Sequence, residues 1–507
     1  MSFRRITLAV ALSLASTVPA SAAWHEARSK HFIIYSEQRP DRLKAYAEKL
    51  ERFDAAVRKV RRYADPALTD GARLTIFELP SVAAVQRMLP RNSSAAGFYI
   101  PRASGAVAFI SRGDGVTGRL NPEHLIQHEY THHLMLTDPN SPLAPWLVEG
   151  TAEFFATAEV QKDGSVEVGH PPMGRGALIL RDLGFSAGDL LAGTRPRDSL
   201  DRSSIYAKGW LLTHYLSFSK ARFGQLDRYV AGLARGIPTR QAAELAFGDL
   251  KQLDREIDTY ATKRFAAVQV PAGPAPVVEI RSLGEGEAAI MPIRIRADRG
   301  LRRQDVPAVA EEARQIAARF PGDPEAQAVL AEVELAGGLY QPAIAAADRA
   351  LAANPKHIGA MIIKGRALLG DARGKGNAAD WREVRRWLVL ANRADTENAE
   401  PLHLFYQTFR ASGQKPTVAA INGLYYAHVL MPHDVGLRFD VVRQRLIDGE
   451  ISQALTSFAP ILANPHLDLE KRPMLVEAMT RMRAGDGPGA LAAIEADYRS
   501  GRATGDS

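Results

Sequence analysis

His128, Glu129 and His132 stand within a segment, 122–136, that reads PEHLIQHEYTHHLML. Asn121 followed by Pro122 marks a helix start: a capping side chain, then a residue whose missing N–H costs nothing in a first turn. A spacing of four puts the two imidazoles on one face of that helix, one turn apart, where both reach a single metal ion. Glu129 lies about 100° round the helix, beside the metal position, where a carboxylate can take the proton of an activated water. The chemistry on offer is hydrolysis by metal-activated water.

A catalytic zinc takes three protein ligands and keeps a fourth position open. A glycine at 135 and a histidine at 138 would supply the third ligand from the same segment, but the chain has Met135 and Asp138. Instead, turn-forming residues (137–145, TDPNSPLAP) lead into WLVEGTAEFFATAEV (146–160), expected as a second helix. Glu149 follows His132 by 17 positions, a stretch long enough for the second helix to return antiparallel and present its carboxylate to the same metal. Glu153, one turn later on the same face, is placed to accept an N–H from a ligating histidine and fix its tautomer.

HEYTHH followed by WLVEGTAEFF resembles the gluzincins, the thermolysin-like clan of peptidases, in which H-E-x-x-H precedes a helix carrying W-L-x-E-G-x-A-E. The resemblance implies an α+β zincin-like catalytic domain, a Zn2+ ion held by His128, His132 and Glu149, Glu129 as catalytic base, and Glu153 as the carboxylate that orients a ligand. It implies a peptide or protein substrate, bound beside an edge strand for which residues 106–110 are expected. It also implies a tyrosine that donates to the oxyanion. Tyr206, in SSIYAKGWLLTHYLSF (203–218), is the candidate, with His214 the weaker alternative. His124 and His133, on the metal helix but off the donor pair, are expected in surface or packing roles.

The 507 residues are enough for several domains. Residues 1–22 read as a signal peptide: Arg4 and Arg5, an apolar run from Ile6 to Val18, then Ala20-Ser21-Ala22 as a cleavage site. The run is shorter than the roughly 20 residues that span a bilayer, so a periplasmic or secreted protein without a stable membrane anchor is expected. No cysteine is present, which leaves nitrogen and oxygen as metal ligands and excludes disulfides and a thiol nucleophile. The net charge of +7 is spread among acids and speaks for a solvated surface rather than nucleic acid.

Elements that would position the site come before and after it. Residues 31–36, 72–79 and 97–112 have strand or hairpin composition, and 40–63 helical spacing. A catalytic domain is expected over 23–267, then a linker with a strand-prone segment over 268–304 (VQVPAGPAP, later IMPIRIRA). From 305 to 500 the chain turns alanine- and leucine-rich, with Pro321 and Pro355 34 positions apart and Pro432 and Pro465 33 apart. That is the period of tetratricopeptide repeats, of which four to five units are expected, with an insertion near 371–377 and a disordered tail over 501–507. An all-α repeat array of this kind usually offers a surface to a protein partner. The alternative to the peptidase is a non-catalytic periplasmic repeat scaffold whose peptidase-like part only binds.

Overall fold

A computed structural model describes residues 23–89, 95–112, 122–135, 144–172, 186–193, 199–235, 237–462 and 469–504. The segment read as a signal peptide, and the Asn121 cap, lie outside these. The strands are β1 (His25–Arg28), β2 (Phe32–Ser36), β3 (Leu74–Leu79), β4 (Gly97–Ile100), β5 (Val107–Ser111), β6 (Glu159–Val160), β7 (Val166–Val168), β8 (Val268–Val270) and β9 (Glu279–Ser282). The helices of the first half are α1 (Pro40–Arg61), α2 (Val82–Gln86), α3 (Pro122–Met135), α4 (Pro145–Ala156), α5 (Ala187–Leu191), α6 (Ser199–Phe218), α7 (Gln225–Ala234), α8 (Thr239–Phe247) and α9 (Leu250–Ala261).

Six strands form one sheet in the order β4-β5-β3-β2-β1-β9, with β2, β3 and β5 parallel and β4, β1 and β9 antiparallel to their neighbours. Alternation along the strands divides their side chains between two cores. Phe32, Ile34, Ile76, Ala108 and Ile110 pack with Leu50 and Phe53 of α1 and with Ile126, Tyr130 and Leu134 of α3. Ile33, Tyr35, Phe77, Val107 and Phe109 face the opposite way. The 106–110 stretch is therefore not an edge strand, because β5 is paired on both sides. Among the described residues the edge strand beside α3 is β4.

The 268–304 stretch contains two strands and a helix, with residues 271–278 in none of them. Val268–Val270 pairs with β7, and Glu279–Ser282 adds itself to β1. IMPIRIRA lies in a helix, α10 (Glu285–Arg299), and not in a strand. Its Ile/Arg alternation misleads because two faces of this helix are buried: Met291 and Ile295 on the sheet, Ile290 and Ile293 on the next helices. A helix wedged between two layers loses the one-sided pattern that identifies a surface helix.

Helical hairpins continue from there: α11 (Val306–Arg319), α12 (Pro324–Ala336), α13 (Tyr340–Ala353), α14 (Ile358–Lys375), α15 (Trp381–Ala394), α16 (Ala399–Ala411), α17 (Val418–Leu430), α18 (Val435–Ile447), α19 (Ile451–Leu462), α20 (Pro473–Arg483) and α21 (Gly487–Thr504). Each pair packs on the next, with fully buried alanines such as Ala331, Ala343, Ala346, Ala350 and Ala360 letting the helices approach closely. Asp323, His357, Asn398 and Asp434 cap the first helix of successive hairpins. The widest interval, His357 to Asn398, contains the insertion expected near 371–377: α14 runs on to Lys375 and a 3-10 turn follows at Gly376–Ala378. The last helix runs to Thr504; residues 505–507 of the expected tail lie outside the described residues.

One ionic cluster ties the sheet to α3. His31 Nδ1 lies 2.7 Å from Glu51 Oε2 and 3.4 Å from Asp54 Oδ2, and Nε2 lies 2.9 Å from Asp65 Oδ1. Asp54 also accepts from Arg58 and, at 2.7 Å, from the hydroxyl of Tyr130 on α3. Burial opposes charge on His31, but the Glu51 hydrogen bond and the Asp54 and Glu51 charges outweigh it and raise its pKa from 6.5. Burial likewise opposes charge on Glu51, yet the bond and charge of His31 lower it from 4.5. The His31 contribution is full below 6.5 and is lost as pH rises through the raised value, whereas that of Glu51 is full above 4.5 and is lost as pH falls through the lowered one. Urea unfolding of His31→Gln should show a loss of about 3 kcal/mol near pH 6, because a buried pair is broken, and a flatter alkaline limb than the wild type.

Candidate metal centre

Helices α3 and α4 build the site. α3 is pinned to the sheet by Ile126, Tyr130 and Leu134, each about 1% exposed, which turns His128 and His132 away from the sheet and toward α4. α4 is buried on nearly every side, including Trp146, Leu147, Phe154 and Phe155. Its position is set by a glycine crossing with α6: a Cβ on Gly150 would sit 2.3 Å from the Gly209 carbonyl oxygen, and one on Gly209 2.8 Å from that of Trp146. Glycine after Glu149 is thus a packing requirement, and the close crossing fixes where the Glu149 and Glu153 carboxylates fall.

His128 Nε2 and His132 Nε2 are 3.0 Å apart, and each lies 3.4 Å from Glu149 Oε2. Ligands of a tetrahedral zinc bonded at 2.0–2.1 Å are about 3.3 Å from one another. The donor set and its spacing therefore fit zinc. Glu149 is 1% exposed; burial opposes its charge, but hydrogen bonds and charges from His128 and His132 hold its carboxyl far below the usual range. On His128 burial opposes protonation, while the Glu149 hydrogen bond and the charges of Glu153, Glu129 and Glu149 outweigh it and raise the pKa. Such an excess of negative charge about two imidazoles is what a divalent cation neutralises.

Glu153 Oε1 lies 3.5 Å from His128 Nδ1, the ring nitrogen turned from the other donors. His132 Nδ1 is buried and has no hydrogen-bond partner among the described residues, so the orienting contact serves one histidine only. Glu129 is half-buried on α3, and its charge is felt at both His128 and Tyr99. Tyr206, on α6, brings its ring within 6.2 Å of the His128 ring at 25°, beside the donors. His214 does not belong to the site. It is buried two turns further along α6, with Nε2 on the Ala266 carbonyl and Nδ1 on the Tyr260 hydroxyl, each at 2.9 Å.

His124 is exposed. His133 packs against the Tyr130 ring and has its Nδ1 2.9 Å from the Tyr99 hydroxyl; burial pushes its pKa down to about 4, leaving it neutral. Two further groups bring histidine and carboxylates together: His31 with Glu51 and Asp54, and Glu167 and His170 with Glu159. In the first, Arg58 already neutralises Asp54. Its only sequence signal was a lone histidine at a strand start, with the carboxylates some 20 residues on in α1. A cavity of about 540 Å³ at the carboxyl ends of β2, β3 and β5 is lined in part by Arg42, Glu78 and Arg112 and by Pro122 and Glu123 at the amino end of α3, and by none of the three donors.

No protein-family model matches the chain, and no curated protein matches it. Solved structures do: one titled MamA RS-1 ArsTM double mutant is 19% identical over 35% of this chain and 94% of that chain, with a TM-score of 0.28. Another, TTC0263, described as a thermophilic TPR protein in Thermus thermophilus, is 21% identical over 38% of this chain and 100% of that chain, with a TM-score of 0.31. The helical-repeat fold of this chain stands on its own hairpins and their period, not on likenesses of that size.

Proposed function

We propose that the chain is an exported zinc metallopeptidase of gluzincin type whose repeat domain contacts protein. The observation that carries this reading is the triangle of His128 Nε2, His132 Nε2 and Glu149 Oε2, with sides of 3.0, 3.4 and 3.4 Å. When bound, zinc supplies Lewis acidity, which polarises a peptide carbonyl and acidifies water. Glu129 takes the proton of the attacking water on its carboxylate and passes it to the leaving amine. Tyr206 donates to the carbonyl oxygen as that atom gains charge. Glu149 brings the negative charge that a neutral histidine pair lacks, and Glu153 holds His128 in orientation. Among the described residues no helix is long and apolar enough to cross a membrane.

The reading is tested by the zinc content of the full-length protein and by cleavage of an unfolded-protein substrate before and after 1,10-phenanthroline. One zinc per chain, cleavage abolished by the chelator and restored by added zinc, is the expected result. The array of helical hairpins favours a second reading, a repeat scaffold with a zinc-bearing but non-catalytic module, for which zinc without cleavage of any tested peptide is the expected outcome.

A further inference from the structure

The repeat domain grips the elements of the metal site. At His133, on α3, three of them meet: the Tyr99 hydroxyl from β4 lies 2.9 Å from Nδ1, and the ring of His433, from the loop between α17 and α18, packs at 4.9 Å between centroids. The next residue, Asp434, uses both carboxylate oxygens. Oδ1 accepts from Leu437 N at 2.7 Å and caps α18, while Oδ2 accepts from the backbone N–H of Ala103 at 2.6 Å. Ala103 sits in the turn joining β4 to β5, and its side chain is buried with Ala399, Tyr406, Leu424 and Leu437 of the repeats. Arg102 beside it reaches Asp298 of α10 at 3.6 Å.

We infer that the repeat loop carrying His433 and Asp434 is a positioning element of the metal site, fixing the open edge of β4 against the helix that carries Glu129. One loop holds the hairpin tip through Asp434 and the metal helix through His433, while Tyr99 links strand and helix directly. The width between the β4 edge and α3 is then set from the repeat side. An extended peptide pairing with that edge meets a strand held in place, so the repeats belong to the peptidase unit and are not a tethered adaptor. The inference rests on the peptidase reading for its effect on catalysis. The mechanical coupling between loop and strand does not.

The test uses the full chain and three variants: His433→Ala, Asp434→Ser and Asp434→Asn. Serine still caps α18 but is one carbon too short for Ala103, and asparagine, with one acceptor oxygen, keeps the cap but turns its donor-only NH2 toward the Ala103 N–H. Zinc content, kcat and KM on an extended peptide are measured together with hydrogen exchange at the amides of β4 and Ala103. His433→Ala and Asp434→Ser should keep their zinc, exchange faster at β4 and raise KM about tenfold through misplacement of the strand, with kcat changed far less. Asp434→Asn, which also loses the Ala103 bond, should behave as Asp434→Ser does. Unchanged β4 exchange and unchanged KM in all three variants would overturn the inference. A wild type without zinc or cleavage overturns the peptidase reading alone, since the exchange rates still decide the coupling. Where Asp434→Ser fails to fold, His433→Ala, which leaves the cap intact, decides.

Discussion

Glu129→Gln should bind zinc as the wild type does and lose turnover by about 10²–10⁴-fold, the range that a positioned general base contributes. Glutamine matches glutamate in shape, and Glu129 is not among the three converging donors, so metal content is expected to stay at one per chain. What disappears is the only function the residue has in the proposed mechanism, holding a proton between attack and departure. In barrier terms that range is about 3–5 kcal/mol, far more than a half-buried side chain exchanged for its isostere costs the fold. Metal analysis and kcat on the same preparation check it. Equal turnover in variant and wild type would move the base to another residue.

Glu149→Gln should instead empty the site. The carboxylate oxygen completes the donor triangle, and an amide oxygen brings no charge to offset a dication in a nearly water-free position. Zinc affinity should fall by more than about 100-fold, beyond the effect of losing an orienting partner alone. Stability reports the same event independently: zinc at about 1,000 times its Kd adds about 4 kcal/mol to the wild type. A chelator should therefore lower the wild-type Tm and leave that of Glu149→Gln unchanged. A variant that keeps its full zinc complement would show that the metal sits elsewhere.

The donor pair was legible because its information is local. Four residues of helix decide that His128 and His132 share a face, and nothing remote is needed. Glu149 was legible through a pattern, W-L-V-E-G-T-A-E, whose glycine now has a physical reason in the close crossing with Gly209 of α6. The repeats were legible through the same kind of locality, a proline spacing of 33 to 34 positions in an alanine- and leucine-rich chain. Tyr206 was singled out by resemblance, and the structure puts its ring 6.2 Å from that of His128, while His214, two turns on, could be set aside only once its ring nitrogens were seen to be engaged.

By itself the sequence determined the chemistry within reach: nitrogen and oxygen donors in the absence of cysteine, two histidines and a glutamate on one helix, and a helical array downstream. The tertiary structure decided whatever depends on what a residue packs against. It put β5 inside the sheet and β4 at its edge, because pairing on the second side is made by residues distant in the chain. It made a helix of 285–299, because burial on two faces erases the period that composition reveals. It gathered His31 with Glu51, Asp54 and Asp65, and Tyr99 with His133 and His433, since charges and rings separated by 20 to 300 positions meet only when the layers close and exclude water between them.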